Sequence, residues 1–298
     1  MKISLGPVLY YWPADTLREF YQQVAHWPVD IVYLGETVCG KRRTFTLAEW
    51  MEIGFQLQSA GKEVVLSTLS LLEAESELKT LRNWCENGQF TVEANDMAAV
   101  NLLAGRTSFI TGPTVNIYNQ RTLHLLYNMG LKRWVLPVEL SRTTVIDLQA
   151  NHPEDLQVEV YSYGRLPLSM SARCFTARAH NLPKDNCQYR CIDYPEGMTL
   201  YSQEGQPFLV LNGVQTMSAL FYNLLEEIPA MINLHVDVVR ISPVAQRMEK
   251  IVRAFHEVIN GAPPATVMRD AGLARGICNG YWFGYAGMEN RANPSTTP

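Results

Sequence analysis

The run Ile31-Val32-Tyr33-Leu34, the segment Leu47–Ser59 behind it, and the run Val64-Val65-Leu66-Ser67 beyond decide the fold class of this chain. Both short runs are apolar and rich in β-branched residues, as strands buried on two faces require. Between them Leu47, Trp50, Met51 and Phe55 recur at helical spacing, which predicts a helix with one apolar face. Strand, helix, strand is the unit that joins two parallel strands, because a parallel pair needs a long crossover.

Outward from this unit the alternation continues in both directions. Strands are expected at Ile3–Leu9, Ile31–Leu34, Val64–Ser67, Phe90–Glu93, Phe109–Thr111, Trp134–Pro137, Gln157–Tyr161 and Val238–Ile241. Helical patterns fall between them, among them Glu73–Glu86, Gln120–Met129 and Gln246–Ile259. Eight strands with intervening helices predict an α/β fold, a closed (β/α)8 TIM-like barrel with its working groups on loops at the C-terminal strand ends. An open doubly wound sheet is the alternative.

The interval between the seventh and eighth runs is much longer than the others and must hold an insertion. Its first part is rich in cysteine and arginine; Met198–Leu211 reads as two strands around Glu204-Gly205, a hairpin signal. A helix over Met217–Glu227 is expected to resume the barrel. The predicted organisation is one barrel domain over residues 1–260, including an insertion at 165–211, and a C-terminal aromatic extension and tail at 261–298. The aromatic group Tyr281, Trp282, Phe283 and Tyr285 reads as a lid, a docking strip or a segment packed across the barrel bottom, and the end at Ser295–Pro298 as frayed.

Composition narrows the function classes. A chain of 298 residues with 47% hydrophobic content can bury a large core, and a formal net charge of −4 offers no global attraction to phosphate backbones. Neither an export signal nor an apolar run long enough to span a bilayer is apparent, so a cytoplasmic protein is expected, with its six cysteines kept as thiols. The patterns H-E-x-x-H, G-x-S-x-G and G-x-G-x-x-G are missing: His256-Glu257 is followed by Val-Ile-Asn, and His235 reads as structural.

Cys174, Cys187 and Cys191 lie together in the insertion, a spacing unlike that of zinc ribbons or bacterial ferredoxins. A fourth ligand must come from elsewhere. Cys39, just past the second strand in Gly35-Glu36-Thr37-Val38-Cys39-Gly40, is on the same barrel face. Cys85, with Leu78 and Leu81 at helical spacing, reads as core, and Cys278 is the reserve ligand. Four thiolates suit one zinc or an iron–sulfur cluster, and ligand identity alone leaves both open. Lys41, Arg42, Arg43, Arg173, Arg178 and Arg190 put positive charge near these thiols, which is expected to lower thiol pKa values; solvated surface residues are the simpler account of most of them. Glu36, Glu93, Asn95, Glu139 and Arg165 fall at predicted strand ends and are expected to face the barrel mouth. Glu36, Glu93, Glu139 and Arg165 are the weak catalytic candidates, for which capping and ion pairing are commoner fates.

The segments Gly35-Glu36 with Cys39, Tyr163-Gly-Arg-Leu-Pro-Leu-Ser-Met-Ser-Ala-Arg-Cys174, and Cys187-x-x-x-Cys191 together resemble the collagenase-like peptidase family, over Met1 to about Met288. What the resemblance implies is a 4Fe-4S cluster whose ligands map onto Cys39, Cys174, Cys187 and Cys191. It further implies an oxygen-independent hydroxylase subunit acting on the ubiquinone ring precursor, paired as a heterodimer with a related UbiU-like cluster protein. A lipid-carrier protein that presents the prenylated precursor, and prephenate as a hydroxyl source, come with the same resemblance. Two other readings stand beside it: a metal-dependent collagenase-like peptidase, and a non-catalytic zinc-binding docking protein.

Overall fold

A computed structural model describes residues 1–291; the expected frayed end, Ser295–Pro298, lies outside the described residues. Seven parallel strands come first: β1 (Lys2–Leu5), β2 (Ile31–Leu34), β3 (Glu63–Ser67), β4 (Thr91–Ala94), β5 (Phe109–Thr111), β6 (Leu131–Val135) and β7 (Gln157–Met170). After them come β8 (Met198–Tyr201), β9 (Pro207–Asn212), β10 (Gln215–Asn223), β11 (Val238–Ile241) and β12 (Ile277–Cys278). Strands β1 to β7 pair in order, and β11 pairs in parallel with both β7 and β1. The eight-stranded sheet therefore closes on itself, and the fold is the (β/α)8 barrel that the alternation predicts.

The first helix of the deciding stretch runs over Leu47–Ser59 as read, started by a capping box between Thr46 and Glu49. Its buried face is Trp50, Ile53, Gly54 and Leu57, whereas Phe55 is exposed. The stripe is rotated from the expected one because Gly54 lets Phe90 pack against the helix: a Cβ there would lie 2.9 Å from the ring. On the helix Glu75–Cys85 only Leu81 is fully buried and Leu78 is exposed, so the expected core face there is narrower than read.

Two apolar layers result. The larger lies between strands and helices; the smaller, made of Ile31, Tyr33, Val65, Ile110, Val135 and Val238, occupies the alternate strand positions and fills the barrel interior. Charged side chains share that interior. Glu159, wholly buried, accepts from Ser4 Oγ at 2.6 Å, Tyr33 OH at 2.5 Å and Arg240 Nε at 2.6 Å. Arg240 Nη1 also donates to Glu93 Oε1 at 2.7 Å, and its guanidinium lies 4.0 Å from the Tyr33 ring centroid. Buried Arg133 donates to Tyr33 OH at 3.1 Å and to Glu63 at 2.7 Å.

The insertion is built as a sheet extension. Strand β7 runs nine residues past its expected end at Tyr161, and β10 pairs antiparallel with it, β9 with β10, and β8 with β9 in the hairpin that Glu204-Gly205 signals. The expected helix over Met217–Glu227 is instead most of β10, followed by a short 3-10 turn at Leu225–Glu227 and a helix at Ile228–Asn233. Its apolar run carried no period that separated helix from strand, and the partner strands on either side decided it.

The C-terminal segment does not cross the barrel bottom. Its helix Pro264–Ala271 leads into β12, which pairs with Phe221 and Tyr222 at the end of β10. Trp282 is wholly buried there and donates Nε1–H to Glu227 Oε2 at 3.1 Å; Tyr285 alone of the aromatic group is exposed. Among the described residues no helix is long and apolar enough to cross a membrane.

Candidate functional site

Cys39 sits in the loop after β2, and Glu36 shapes that loop by accepting from the backbone N–H of Val38 at 2.8 Å and of Cys39 at 3.0 Å. Cys174 caps the short helix Phe175–Ala179. That helix is tied to the turn between β9 and β10, since Phe175 N–H donates to Gly213 O at 3.0 Å and Gly213 N–H to Thr176 Oγ1 at 3.0 Å. Cys187 and Cys191 flank Gln188 and Tyr189, both in the left-handed region with φ of 51° and 53°. Consecutive left-handed residues that are not glycine cost energy, and such strain concentrates at functional loops.

The fold draws the three segments together. The thiols of Cys39 and Cys191 both lie within electrostatic reach of Cys174, and Lys41 is close enough to feel Cys39 and Cys187. All four are half-buried free thiols. Cys85, on its helix, and Cys278, wholly buried in β12, feel none of them; burial pushes Cys85 up to about 11 and Cys278 up to about 12. Among the described residues no three His, Cys, Asp or Glu side chains are close enough to hold a single metal ion.

Of the six basic residues near the thiols, Arg42 is the buried one, while Arg43, Arg173, Arg178 and Arg190 are exposed. Its Nη1 donates to Leu9 O at 2.9 Å, its Nη2 to Asn212 Oδ1 at 2.8 Å, and it lies 3.8 Å from Glu36 and within hydrogen-bond reach of Cys191. Gly213 makes room for it: its backbone has φ of +65°, and a Cβ there would come 2.9 Å from Arg42 Nη2. At Cys39 and Cys191 the expected lowering of the thiol pKa is reversed. Burial pushes both Cys39 and Cys191 up, and the pull of Arg42 recovers only part of that. Glu36 is raised as well, by burial against the opposing pull of Arg42.

The donor set fits an anionic cluster. Cys39 and Cys191, both within reach of Cys174, face one buried, permanently charged guanidinium. Beside this loop opens a cavity of about 490 Å³, within the range of small-molecule sites. Glu36, Gly40 and Arg42 form one wall, and Trp12, Phe45, Trp50, Trp84 and Leu72 make the remainder largely apolar.

The strand-end residues scatter. Glu93 and Asn95 line the barrel mouth as expected, Glu93 bound to Ser67 Oγ at 2.6 Å and to Arg240. Glu36 instead serves the Cys39 loop, exposed Glu139 accepts from Tyr118 OH, and Arg165 spends its Nη1 on the carbonyls of Ser218 and Ala219 and stacks on Phe221. Sequence reasoning missed Arg240, Glu159, Asn212, Gln215 and Thr37. The first two had a signal, a single charge inside the apolar runs Val238-Val239-Arg240-Ile241 and Gln157-Val158-Glu159-Val160; the amides and the threonine had none.

Residues 15–287 match the model of the family described as peptidase family U32. Among solved structures the chain is similar to the U32 peptidase Mk0906, at 11% identity over 83% of this chain and 94% of that one, with a TM-score of 0.46. It is similar at 11% identity to a phospho-2-dehydro-3-deoxyheptonate aldolase of Thermotoga maritima, over 90% of this chain and 70% of that one, with a TM-score of 0.47. A dihydropteroate synthase of Thermus thermophilus is 13% identical over 87% of this chain and 92% of its own, with a TM-score of 0.40.

Proposed function

We propose that this chain, which belongs to peptidase family U32, is a UbiV-like iron–sulfur subunit of an oxygen-independent hydroxylase, working on the prenylated ubiquinone ring precursor as a heterodimer with a UbiU-like cluster protein. Cys39, Cys174, Cys187 and Cys191 would hold a 4Fe-4S cluster, which when bound supplies one-electron transfer. The observation that carries the reading is the approach of Cys39 and Cys191 to buried Arg42 and to Cys174, with Lys41 in reach of Cys39 and Cys187.

The residues around the thiols have definable tasks. Arg42 offsets negative charge where water is scarce, Glu36 holds the Cys39 loop in shape, and Gly213 keeps the cysteine insertion close to both. The apolar cavity beside the loop suits a hydrophobic aromatic substrate such as a prenylated ring, presented by a lipid-carrier protein. Exposed Tyr189, Ile192, Leu200, Tyr201 and Phe208 give the insertion the apolar surface that a protein partner covers. Prephenate as hydroxyl donor belongs to the same proposal.

A zinc docking protein would need its four thiolates within about 3.8 Å of one another, the edge of a tetrahedron with metal–sulfur bonds of about 2.3 Å. A cluster holds its thiolates farther apart. Anaerobic purification with iron, zinc and acid-labile sulfide assays tests the reading: about four irons and four sulfides per chain are expected. One zinc, with failed anaerobic reconstitution, overturns it. Cleavage of casein or gelatin by the pure protein would favour the peptidase reading instead.

A further inference from the structure

The barrel mouth holds a second, smaller cavity lined by none of the cysteines, and three of its lining residues each carry a buried polar atom with no hydrogen-bond partner. They are Thr37 Oγ1, Gln215 Nε2 and Arg240 Nη2, on residues 3%, 1% and 3% exposed. Buried donors left unpaired are costly, and their collection on one cavity marks a place that an acceptor fills.

The free atom of Gln215 is a donor by necessity. Arg42 can only donate, so the atom of Asn212 that meets it at 2.8 Å is the amide oxygen. The Asn212 nitrogen then points to Leu9 O at 2.7 Å and to the Gln215 oxygen at 3.1 Å. This leaves the Gln215 N–H group for the cavity. Arg240 is a donor in any state, and the Thr37 hydroxyl can donate.

Charge and size set the class of ligand. Arg240 already faces Glu159 and Glu93, and Arg133 faces Glu159 and Glu63, so three carboxylates already meet two guanidiniums. A bound anion would add a further negative charge beside Glu93 with no cation left to match it, whereas a neutral carbonyl oxygen accepts the same hydrogen bonds. The cavity measures about 30 Å³, room for one carbonyl group, with Pro7, Leu9, Pro167 and Met170 at its apolar rim.

We propose that the barrel mouth binds the carbonyl end of a small uncharged ligand, held by Gln215 Nε2, Arg240 Nη2 and Thr37 Oγ1, with the body of the ligand lying against the apolar rim. The site stands on the barrel's own residues and does not depend on a cluster being bound. It is tested by ligand-observed saturation-transfer NMR on the purified full-length chain, with acetamide and acetate as probes. Acetamide is expected to receive saturation and acetate much less, and Gln215→Leu and Thr37→Val are each expected to weaken acetamide binding about fivefold, the loss of one hydrogen bond. Thr37→Val is nearly isosteric and keeps the test open if Gln215→Leu fails to fold. Acetate binding equal to or stronger than acetamide, no binding of either probe as for a cavity that holds only water, or acetamide binding unchanged in the folded variants would each overturn the proposal.

Discussion

Arg42 Nη2 donates to Asn212 Oδ1 at 2.8 Å, a bond between residues 170 positions apart that fastens the β2 loop to the insertion. Arg42 Nη1 and Asn212 Nδ2 both donate to Leu9 O, so one guanidinium and one amide lock three distant segments. Arg42→Met would leave Glu36 without its cation and Asn212 Oδ1 without its donor in a buried place. It is expected to destabilise the protein by about 3–5 kcal/mol in urea unfolding. Arg42→Lys keeps the charge but offers no planar fork, and should fall between the two. A Met variant within about 0.5 kcal/mol of the parent, the usual range for a surface substitution, would show that the bond is incidental.

The six thiols divide by position, and that division is measurable. Cys187→Ala should lose its iron under anaerobic purification and loosen the insertion, because ligand binding and local folding are linked. Cys85→Ala should keep its iron with modest destabilisation, since that half-buried thiol on the helix Glu75–Cys85 feels none of the other four. Full iron in Cys187→Ala, or none in Cys85→Ala, would overturn the assignment of ligands.

Trp282 anchors the C-terminal segment to the end of β10. It is wholly buried and hydrogen-bonded to Glu227, so Trp282→Ala opens a cavity and is expected to cost about 3–5 kcal/mol. The same variant should be clipped more readily by protease between Gly272 and Arg291, while its barrel core stays resistant. Equal protease resistance in variant and parent would mean that the segment is held by other contacts.

How much of this could be read in advance depends on how local each signal was. The barrel strands were legible because each is buried on both faces and reads as a short apolar run, as Ile31–Leu34 and Val238–Ile241 show. Met217–Glu227 was misread because an edge-extending strand and a short helix look alike when the apolar run has no period, and only pairing with β7 and β9 settles it. Residue type identified the thiols, but Arg42 could not be picked from six basic neighbours, because its burial is set by Leu9 and Asn212 far away in sequence. The same holds for thiol acidity: nearby charge is visible in a sequence, and the burial that outweighs it is not.

Glu159 gives the barrel interior a pH limit. Burial alone would raise its pKa, but Arg240 and Arg133 outweigh that, together with hydrogen bonds from Arg240 and Ser4, and hold it below the ordinary value of 4.5. A group whose pKa is depressed on folding binds its proton more tightly in the unfolded chain. Its stabilisation is therefore complete above the unfolded value and is lost as pH falls through the folded one. The urea midpoint is expected to be flat near neutrality and to fall below about pH 4.5. Ser4→Ala removes the hydroxyl that donates to Glu159 at 2.6 Å, a bond to a charged acceptor worth about 1.5–3 kcal/mol. With that support gone the folded carboxyl becomes easier to protonate. The variant should be less stable at neutral pH, begin its acid decline near the same unfolded value as the parent but level off at a higher pH, and converge with the parent in stability once Glu159 is protonated in both. A constant difference between the two midpoints across the whole acid range would show that the serine matters for packing alone, and that the Glu159 charge does not set the limit.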